Sequence, residues 1–223
     1  MSQRTVIIGD VHGCIEELDR LLKKLSLGPK DRLIFAGDLV NKGPATIAVL
    51  KRARELKAEC VLGNHEIRLL RYRQGENFKT QRLKDIKTAL KLTEADWAYL
   101  EAMPLHIELP EHNAIVVHGG FLPGIPWRKQ GEEIITRIQT IDENNEACKR
   151  TKAPDVRYWA ESWEGPEFVI YGHTPRREIY KMRDSIGLDT GCVYGGHLSA
   201  LTLPERSITQ VKAGQAYEAS AKF

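Results

Sequence analysis

Aspartate, asparagine and histidine residues recur directly after short apolar runs of this 223-residue chain. The first three groups are Gly9-Asp10-Val11-His12-Gly13, Gly37-Asp38-Leu39-Val40-Asn41-Lys42-Gly43 and Gly63-Asn64-His65-Glu66. Two later groups place His118 and His173 beside glycine. Carboxylate, amide and imidazole groups without thiolate suit divalent Mn, Fe, Zn, Co or Ni. We therefore predict a metal centre whose candidate ligands are Asp10, His12, Asp38, Asn64, His118 and His173.

The elements that must position the first three groups alternate between strand and helix. Short strands are predicted over residues 5–8, 32–36 and 59–62, and helices over residues 15–25 and 45–57 and around Leu69 and Leu70. Ligands of open α/β sheets bind outside the carboxyl ends of the strands. The three loops are therefore expected to converge on one crevice. Two ions about 3.5–4 Å apart in such a crevice would form the arrangement used for in-line displacement at phosphorus.

Strands dominate the second half of the chain. They are predicted over residues 106–109, 114–118, 168–171, 185–188, 197–203 and 208–211. We interpret the chain as an α/β fold with two facing mixed β-sheets flanked by helices, the first a βαβ layer and the second largely antiparallel.

The remaining stretches suggest one domain over residues 1–223. Helical periodicity from Phe78 to Met103, with a helix cap at Thr93 and Asp96, predicts a small helical insertion at about residues 76–104. Residues 142–154 are the most loop-like stretch.

Composition narrows the possible partners and location. The 33 Lys and Arg residues against 30 Asp and Glu residues give a net charge of +3, too small to indicate a nucleic-acid partner. The 4 cysteines form no CxxC pair, which favours a reducing compartment. No stretch approaches the roughly 20 apolar residues that span a bilayer. We expect a cytoplasmic protein without a membrane partner.

The five polar groups, taken in order, resemble the metallo-dependent phosphoprotein phosphatase superfamily, the calcineurin-like phosphoesterases. That signature reads GDxHG, GDxVxxG and GNHE, followed by two histidine loops, and it spans residues 9–174 here. Residues 117–126, 165–167 and 188–201 also resemble bacterial diadenosine tetraphosphatases and the related ApaH-like phosphatases. The similarity therefore extends over nearly the whole chain and implies the calcineurin-like sandwich fold.

The resemblance implies a site with two divalent ions, of which Mn is expected and Fe, Zn, Co or Ni are alternatives. Asp10, His12 and a bridging Asp38 would hold the first ion. The second ion would be held by Asp38, Asn64, His118 and His173. A metal-bridging hydroxide would attack phosphorus, with Asp38 and His65 as the catalytic residues and His65 protonating the leaving oxygen.

One motif departs from the protein phosphatases of the superfamily, which usually read GDxVDRG. Asn41 and Lys42 stand at the last Asp and Arg of that motif. Asn41 can hydrogen-bond an imidazole but cannot stabilise its protonated form as a carboxylate would. Diadenosine tetraphosphatases also lack that Asp, so the change favours phosphoanhydride substrates. The candidate substrate-binding residues are Lys42, Asn41 and Arg68, and Glu66 is expected to support its loop through hydrogen bonds.

The resemblance implies hydrolysis of dinucleoside polyphosphates such as diadenosine tetraphosphate, with symmetric cleavage to ADP. Three alternatives stay open at this stage. One is a protein serine/threonine phosphatase or a broad-specificity phosphomonoesterase, whose partner would be a phosphoprotein. The second is action on capped RNA ends or inorganic polyphosphate. The third is a catalytically silent module that binds a nucleotide or a protein.

Overall fold

Strands and helices alternate at the start of the computed structural model, which describes residues 4–76, 83–151 and 153–219. The strands are β1 (Thr5–Ile8), β2 (Arg32–Phe35), β3 (Glu59–Cys60), β4 (His106–Leu109), β5 (Ala114–Val117), β6 (Thr140–Ile141), β7 (Ala147–Cys148), β8 (Arg157–Tyr158), β9 (Phe168–Tyr171), β10 (Tyr180–Lys181), β11 (Ser185–Gly187), β12 (His197–Leu203) and β13 (Ser207–Lys212). The α-helices are α1 (Ile15–Leu25), α2 (Thr46–Glu55), α3 (Asn64–Arg73), α4 (Leu83–Ala89), α5 (Glu94–Glu101) and α6 (Glu132–Arg137).

Two five-stranded mixed sheets carry the fold. The first has the order β13-β12-β1-β2-β3, in which β1, β2 and β3 are parallel and β12 is antiparallel to both of its neighbours. The second has the order β10-β11-β9-β5-β4, with β5, β9 and β11 parallel and the two edge strands antiparallel. The predicted α/β class with two mixed sheets is confirmed.

The predicted division of strands between the sheets is wrong in two respects. The second sheet is parallel at its centre, because the long connection from β5 to β9 allows a crossover, which parallel neighbours require. The last two strands leave that sheet and join the first one, where Thr5 pairs with Leu203. The first sheet therefore contains both the first and the last strand of the described residues.

Alternating side chains of the strands build separate apolar layers. Ile7 and Ile34 belong to one core cluster with Val116 and Ile170 of the second sheet. Ile8, one residue on from Ile7, instead belongs to the cluster that includes residues of α1 and α2. This period of two is the pattern of strands that are covered on both faces. Packing on both faces holds the strands in place, and the polar loops begin where these strands end.

The helical region before β4 differs in detail from its prediction. Within the described residues it contains the two short helices α4 and α5. Phe78, where the predicted periodicity begins, lies outside the described residues. The predicted cap is confirmed: the Asp96 backbone N–H donates to Thr93 Oγ1 at 3.2 Å, and the Thr93 N–H donates to Asp96 Oδ2 at 2.9 Å. Its status as an insertion in a single domain stays a prediction.

Sequence patterns missed a third, small sheet and the short helix α6. This sheet has the order β7-β6-β8, so the stretch predicted as a loop contains β7. Two-residue strands are too short to give an alternating pattern. In the part of the chain that the structure describes, no helix is long and apolar enough to cross a membrane.

Candidate metal centre

The polar groups predicted from the sequence meet where the strands of both sheets end. Asp10 and Asp38 follow β1 and β2 of the first sheet, whereas His118 and His173 follow β5 and β9 of the second. His12, Asp38 and His173 have positive φ angles of 47°, 51° and 65°. These sharp turns are sparsely populated conformations that the surrounding structure must hold in place. All six candidate ligands are buried except His173, which is partly exposed.

One group of candidate ligands surrounds His12. Its Nε2 lies 3.4 Å from Asp38 Oδ2 and 3.8 Å from Asp10 Oδ2. The ligand atoms of His12, Asp38 and His65 lie within 4.8 Å of one another. Nδ1 of His12 is 2.9 Å from the Val40 carbonyl, to which it donates. This bond leaves the Nε2 lone pair facing the carboxylates, as in metal-binding histidines.

A second group surrounds His118 and shares Asp38. Ligand atoms of Asp38, His118 and His173 also lie within 4.8 Å of one another. Nε2 of His118 is 3.4 Å from Asp38 Oδ1 and 3.2 Å from Asn64 Oδ1. Asp38 therefore directs one oxygen toward each group. Asp10 joins the two sheets, because its carboxylate accepts the backbone N–H of His173 at 3.1 Å.

The donor set fits cations, and the ammonium group of Lys42 already contacts it. The Lys42 ammonium lies 2.7 Å from Nε2 of His12. Burial lowers the pKa of His12 and of His173 to about 3, so both imidazoles are neutral and keep a lone pair. Burial also opposes charge on His118, but Asp38 raises the pKa of that ring to about 10. The neutral imidazoles of His12 and His173 beside a shared carboxylate are suitable ligands for divalent ions. His118 would release its proton when an ion binds.

Glu66 connects the second and third loops and is fully buried. Its Oε2 accepts the N–H groups of Asp38 and Gly63 at 2.9 and 3.1 Å. Its Oε1 accepts those of Leu39 and Val40 at 2.9 and 3.2 Å. Burial raises the pKa of Glu66 to about 7, while these donors stabilise the ionised form. The supporting role expected for Glu66 is confirmed.

His65 stands beside the cluster, between Asp38 and two predicted substrate-binding residues. Its backbone N–H donates to Asp38 Oδ1 at 3.0 Å, and its ring Nε2 lies 3.9 Å from Asp38 Oδ2. On the other side of the ring, Arg68 Nη2 lies 2.6 Å from Nδ1 and Asn41 Nδ2 lies 3.3 Å from it. Burial holds the pKa of His65 well below its usual range. Asn41 therefore contacts an imidazole, as its side chain allows, and Arg68 contacts the same ring, which the sequence did not predict.

Sequence reasoning missed Asp85, a buried residue of α4 that binds both of these side chains. Asp85 Oδ1 accepts a hydrogen bond from Asn41 Nδ2 at 2.8 Å, and its Oδ2 accepts one from Arg68 Nε at 3.0 Å. No pattern distinguishes Asp85 from the solvated charges that helices usually carry. Its burial on a short helix was the signal, and burial is visible only in the structure.

A cavity of about 210 Å³ lies beside the cluster. Its lining residues are Asn41, Lys42, His65, Arg68, Lys84, Asp85, Tyr194, Glu218 and Ala219. The Lys42 ammonium lies 5.2 Å from the centre of the Tyr194 ring. Lys84 forms an ion pair of 2.7 Å with Glu218 in the same lining. The lining thus carries three cationic side chains against the two carboxylates of Asp85 and Glu218, and this small excess of positive charge attracts anions.

Known proteins are similar to this chain over nearly its full length. A family model described as calcineurin-like phosphoesterase matches residues 3–200. Relatives named bis(5'-nucleosyl)-tetraphosphatase PrpE [asymmetrical] are 32% identical in Oceanobacillus iheyensis and 31% identical in Bacillus velezensis. The matches cover 95% and 96% of this chain and 93% and 94% of those proteins. A crystal structure provisionally named a diadenosine tetraphosphatase is 35% identical, with a TM-score of 0.84 over 96% of this chain and 95% of that one.

Proposed function

This chain belongs to the calcineurin-like phosphoesterase family, and we propose that it is a metal-dependent hydrolase of dinucleoside polyphosphates. The observation that carries the proposal is the full-length similarity to relatives named bis(5'-nucleosyl)-tetraphosphatase, at 32% identity for one of them. The convergence of carboxylates and imidazoles beside a cationic cavity supports it. The physical match is between a polyphosphate chain and a cavity whose lining carries a small excess of positive charge beside the candidate metal ligands.

We assign the ion-binding role to the six clustered side chains. Asp10, His12 and Asp38 would hold one ion, and Asp38 would share its second oxygen with the other. Asn64, His118 and His173 would complete that second site. When bound, the two ions supply an activated water and stabilise negative charge on phosphoryl oxygens. Mn is the proposed metal, with Fe, Zn, Co and Ni as alternatives to be tested.

The protein's own groups then bind and orient the polyphosphate. Lys42 and Arg68 carry fixed positive charge at the cavity wall next to the cluster, and we assign them to the phosphates that are not attacked. His65 lies between the cluster and the cavity, so its ring can donate a hydrogen bond to the leaving oxygen. The reaction consumes one water and breaks one P–O bond of the anhydride chain.

The cleavage pattern needs a correction. Sequence analysis expected symmetric cleavage to two ADP molecules, but the relatives' names specify asymmetrical cleavage. Symmetric cleavage is therefore not supported. We propose that hydrolysis separates one phosphate from the other three, so that diadenosine tetraphosphate yields AMP and ATP. A cytoplasmic location stays a prediction.

The test is turnover by metal-free protein reconstituted with Mn, and separately with Co, Ni and Mg. Diadenosine tetraphosphate, a phosphothreonine peptide and p-nitrophenyl phosphate are compared, and nucleotide products are separated by ion-exchange chromatography. AMP and ATP in equal amounts, with feeble peptide activity, are expected. ADP alone would contradict the asymmetric assignment, and faster peptide hydrolysis would make the protein a phosphoprotein phosphatase. The His65→Asn variant controls for contaminating phosphatases.

A further inference from the structure

A buried carboxylate on α4 is connected to the ring of His65 through two intermediate side chains. We propose that Asp85 is a positioning residue: it orients Asn41 and Arg68 so that both donate to Nδ1 of His65, which leaves the single ring proton on Nε2. This inference rests on the proposed function only where it assigns His65 to the leaving oxygen. Nothing in the sequence motifs includes Asp85.

Both oxygens of Asp85 are used. The side chain is 2% exposed, and its two oxygens accept from Asn41 Nδ2 at 2.8 Å and from Arg68 Nε at 3.0 Å. The side chains of Asn41 and Arg68 each have a further N–H group that points toward the ring of His65. The Asn41 amide nitrogen is 3.3 Å from Nδ1, and Arg68 Nη2 is 2.6 Å from it. One carboxylate therefore holds two side chains on one ring nitrogen.

The direction of these bonds determines the tautomer of His65. A guanidinium nitrogen can only donate, so Nδ1 must offer its lone pair to Arg68. The Asn41 amide could in principle be reversed, but its oxygen would then face a carboxylate oxygen of Asp85. Acceptor against acceptor is unfavourable in a buried site, so Asp85 selects the donating orientation. In this orientation Asn41 Oδ1 has no hydrogen-bond partner among the described residues.

The consequence concerns the leaving group. With Nδ1 occupied by two donors, Nε2 carries the proton on the side of the ring that faces Asp38, 3.9 Å away. His65 then has one hydrogen bond to give to the departing oxygen. A carboxylate bonded directly to the ring would instead accept a hydrogen bond from Nδ1–H and so stabilise a doubly protonated ring. A nucleotide phosphate is a good leaving group and departs with little protonation, whereas the alkoxide of a serine ester must be protonated as it leaves. This arrangement therefore favours phosphoanhydrides over phosphoserine esters.

The first test is the tautomer itself, read by long-range ¹H–¹⁵N NMR of the ring nitrogens. The His65 signals are identified as those missing from the His65→Asn variant. Metal-free protein and protein loaded with diamagnetic Zn²⁺ are both measured. We expect a non-protonated Nδ1 and a protonated Nε2 in the unmodified chain. A protonated Nδ1 would overturn the proposal. The tautomer is read in the unmodified chain without substrate, and His65→Asn serves only to assign the signals.

The second test is Asp85→Asn, with Asp96→Asn as its matched control. Asp96 is also a buried carboxylate bound to an arginine, at 2.9 Å from Arg54, on the neighbouring helix α5. Both variants are expected to lose stability. Only Asp85→Asn should change the His65 nitrogen pattern and lower kcat for diadenosine tetraphosphate by about 10–100-fold. KM should rise as well, because Asp85 also holds Arg68, which the proposed function assigns to substrate phosphates. Equal kinetic losses in both variants would reduce Asp85 to a structural role.

A third variant, Asp85→Glu, keeps the charge and covers the case in which Asp85→Asn does not fold. It should retain the Nε2–H tautomer and lose less kcat than Asp85→Asn. A Glu variant that lost the tautomer while keeping full kcat would also contradict the proposal. If the unmodified protein does not hydrolyse the dinucleotide, the proposed function fails, while the NMR comparison still decides the role of Asp85.

Discussion

Gly63 allows the second and third loops to pack closely around Asp38, so adding one methyl group there should damage the metal centre. A Cβ at this position would lie 2.2 Å from Asp38 Oδ1, 2.5 Å from the Asp38 backbone nitrogen and 2.6 Å from Glu66 Oε2. The backbone itself accepts alanine, because Gly63 has φ −90° and ψ 167°. Any effect of Gly63→Ala therefore comes from the contact with these atoms.

The size of the effect follows from the distances. Relieving the contact with Asp38 Oδ1 requires a movement of about 1 Å, since real Cβ contacts essentially never fall below 3.0 Å. Overpacking of this kind costs about 1–3 kcal/mol of unfolding free energy. Displacing the support of a metal ligand typically weakens metal affinity about 10–100-fold. We expect both losses in Gly63→Ala.

Gly131→Ala is the matched control. Gly131 also precedes a helix, with φ −87° and ψ 167°, and an added Cβ there meets no described atom within 4 Å. Any intrinsic preference for glycine at this helix position is therefore common to both variants. Urea unfolding gives the stability difference, and competition with a chromophoric chelator gives the Mn affinity. Equal Mn affinity in the two variants would refute the packing argument for Asp38.

Three further outcomes are expected. Glu66→Gln should destabilise the protein by about 3–6 kcal/mol in urea unfolding, because an amide NH₂ replaces an oxygen that accepts two backbone N–H groups, each worth about 1.5–3 kcal/mol; unchanged stability would contradict the bonds described for Glu66. Trp159→Phe removes the indole N–H that donates to the Gly119 carbonyl at 3.1 Å and should cost about 1–3 kcal/mol, with no loss expected if that carbonyl is solvated instead. Chelation should abolish turnover, and Mn at 100 times its Kd should restore it and raise the unfolding free energy by about 2.7 kcal/mol for each ion bound; full activity after exhaustive chelation would remove the metal from the mechanism.

The sequence predicted β1 and β9 well because each is a buried apolar run followed by glycine, and it predicted β4 and β12 because each is followed by a proline. β1, β4, β9 and β12 have the predicted bounds, and α1 does as well. The same punctuation revealed the loops, and the rule that ligands bind at the carboxyl ends of strands brought them together. The convergence of Asp10, Asp38 and His118 was predictable for this reason.

Pairing partners could not be predicted in the same way. β12 is as apolar as a strand of either sheet, and its antiparallel pairing with β1 depends on contacts almost 200 residues apart in sequence, such as Ile7 with Leu201. The parallel arrangement of β5 and β9 likewise depends on how the long intervening segment folds. The sequence of a strand indicates that the strand is buried, but it says little about which other strand will pair with it.

Asp85 illustrates a different limit. Motif reasoning placed Asn41 at a position where a carboxylate was expected, and it treated Arg68 as a candidate substrate-binding residue. The structure connects both to a carboxylate more than 40 residues beyond Asn41. Neither residue alone indicates such a partner. Polar networks of this kind are specified by tertiary packing, because each member is satisfied only when the others are in place.

The division of the site between two sheets explains why the turns at the strand ends can remain strained. Asp38 directs one oxygen toward His12 of the first sheet and the other toward His118 of the second. Asp10 accepts the backbone N–H of His173 across the same junction. The apolar layer that packs Ile7 against the second sheet holds the two halves of the cluster at fixed separation. The core between the sheets thus preorganises donors that would otherwise repel or turn away from one another, and it does so before any ion binds.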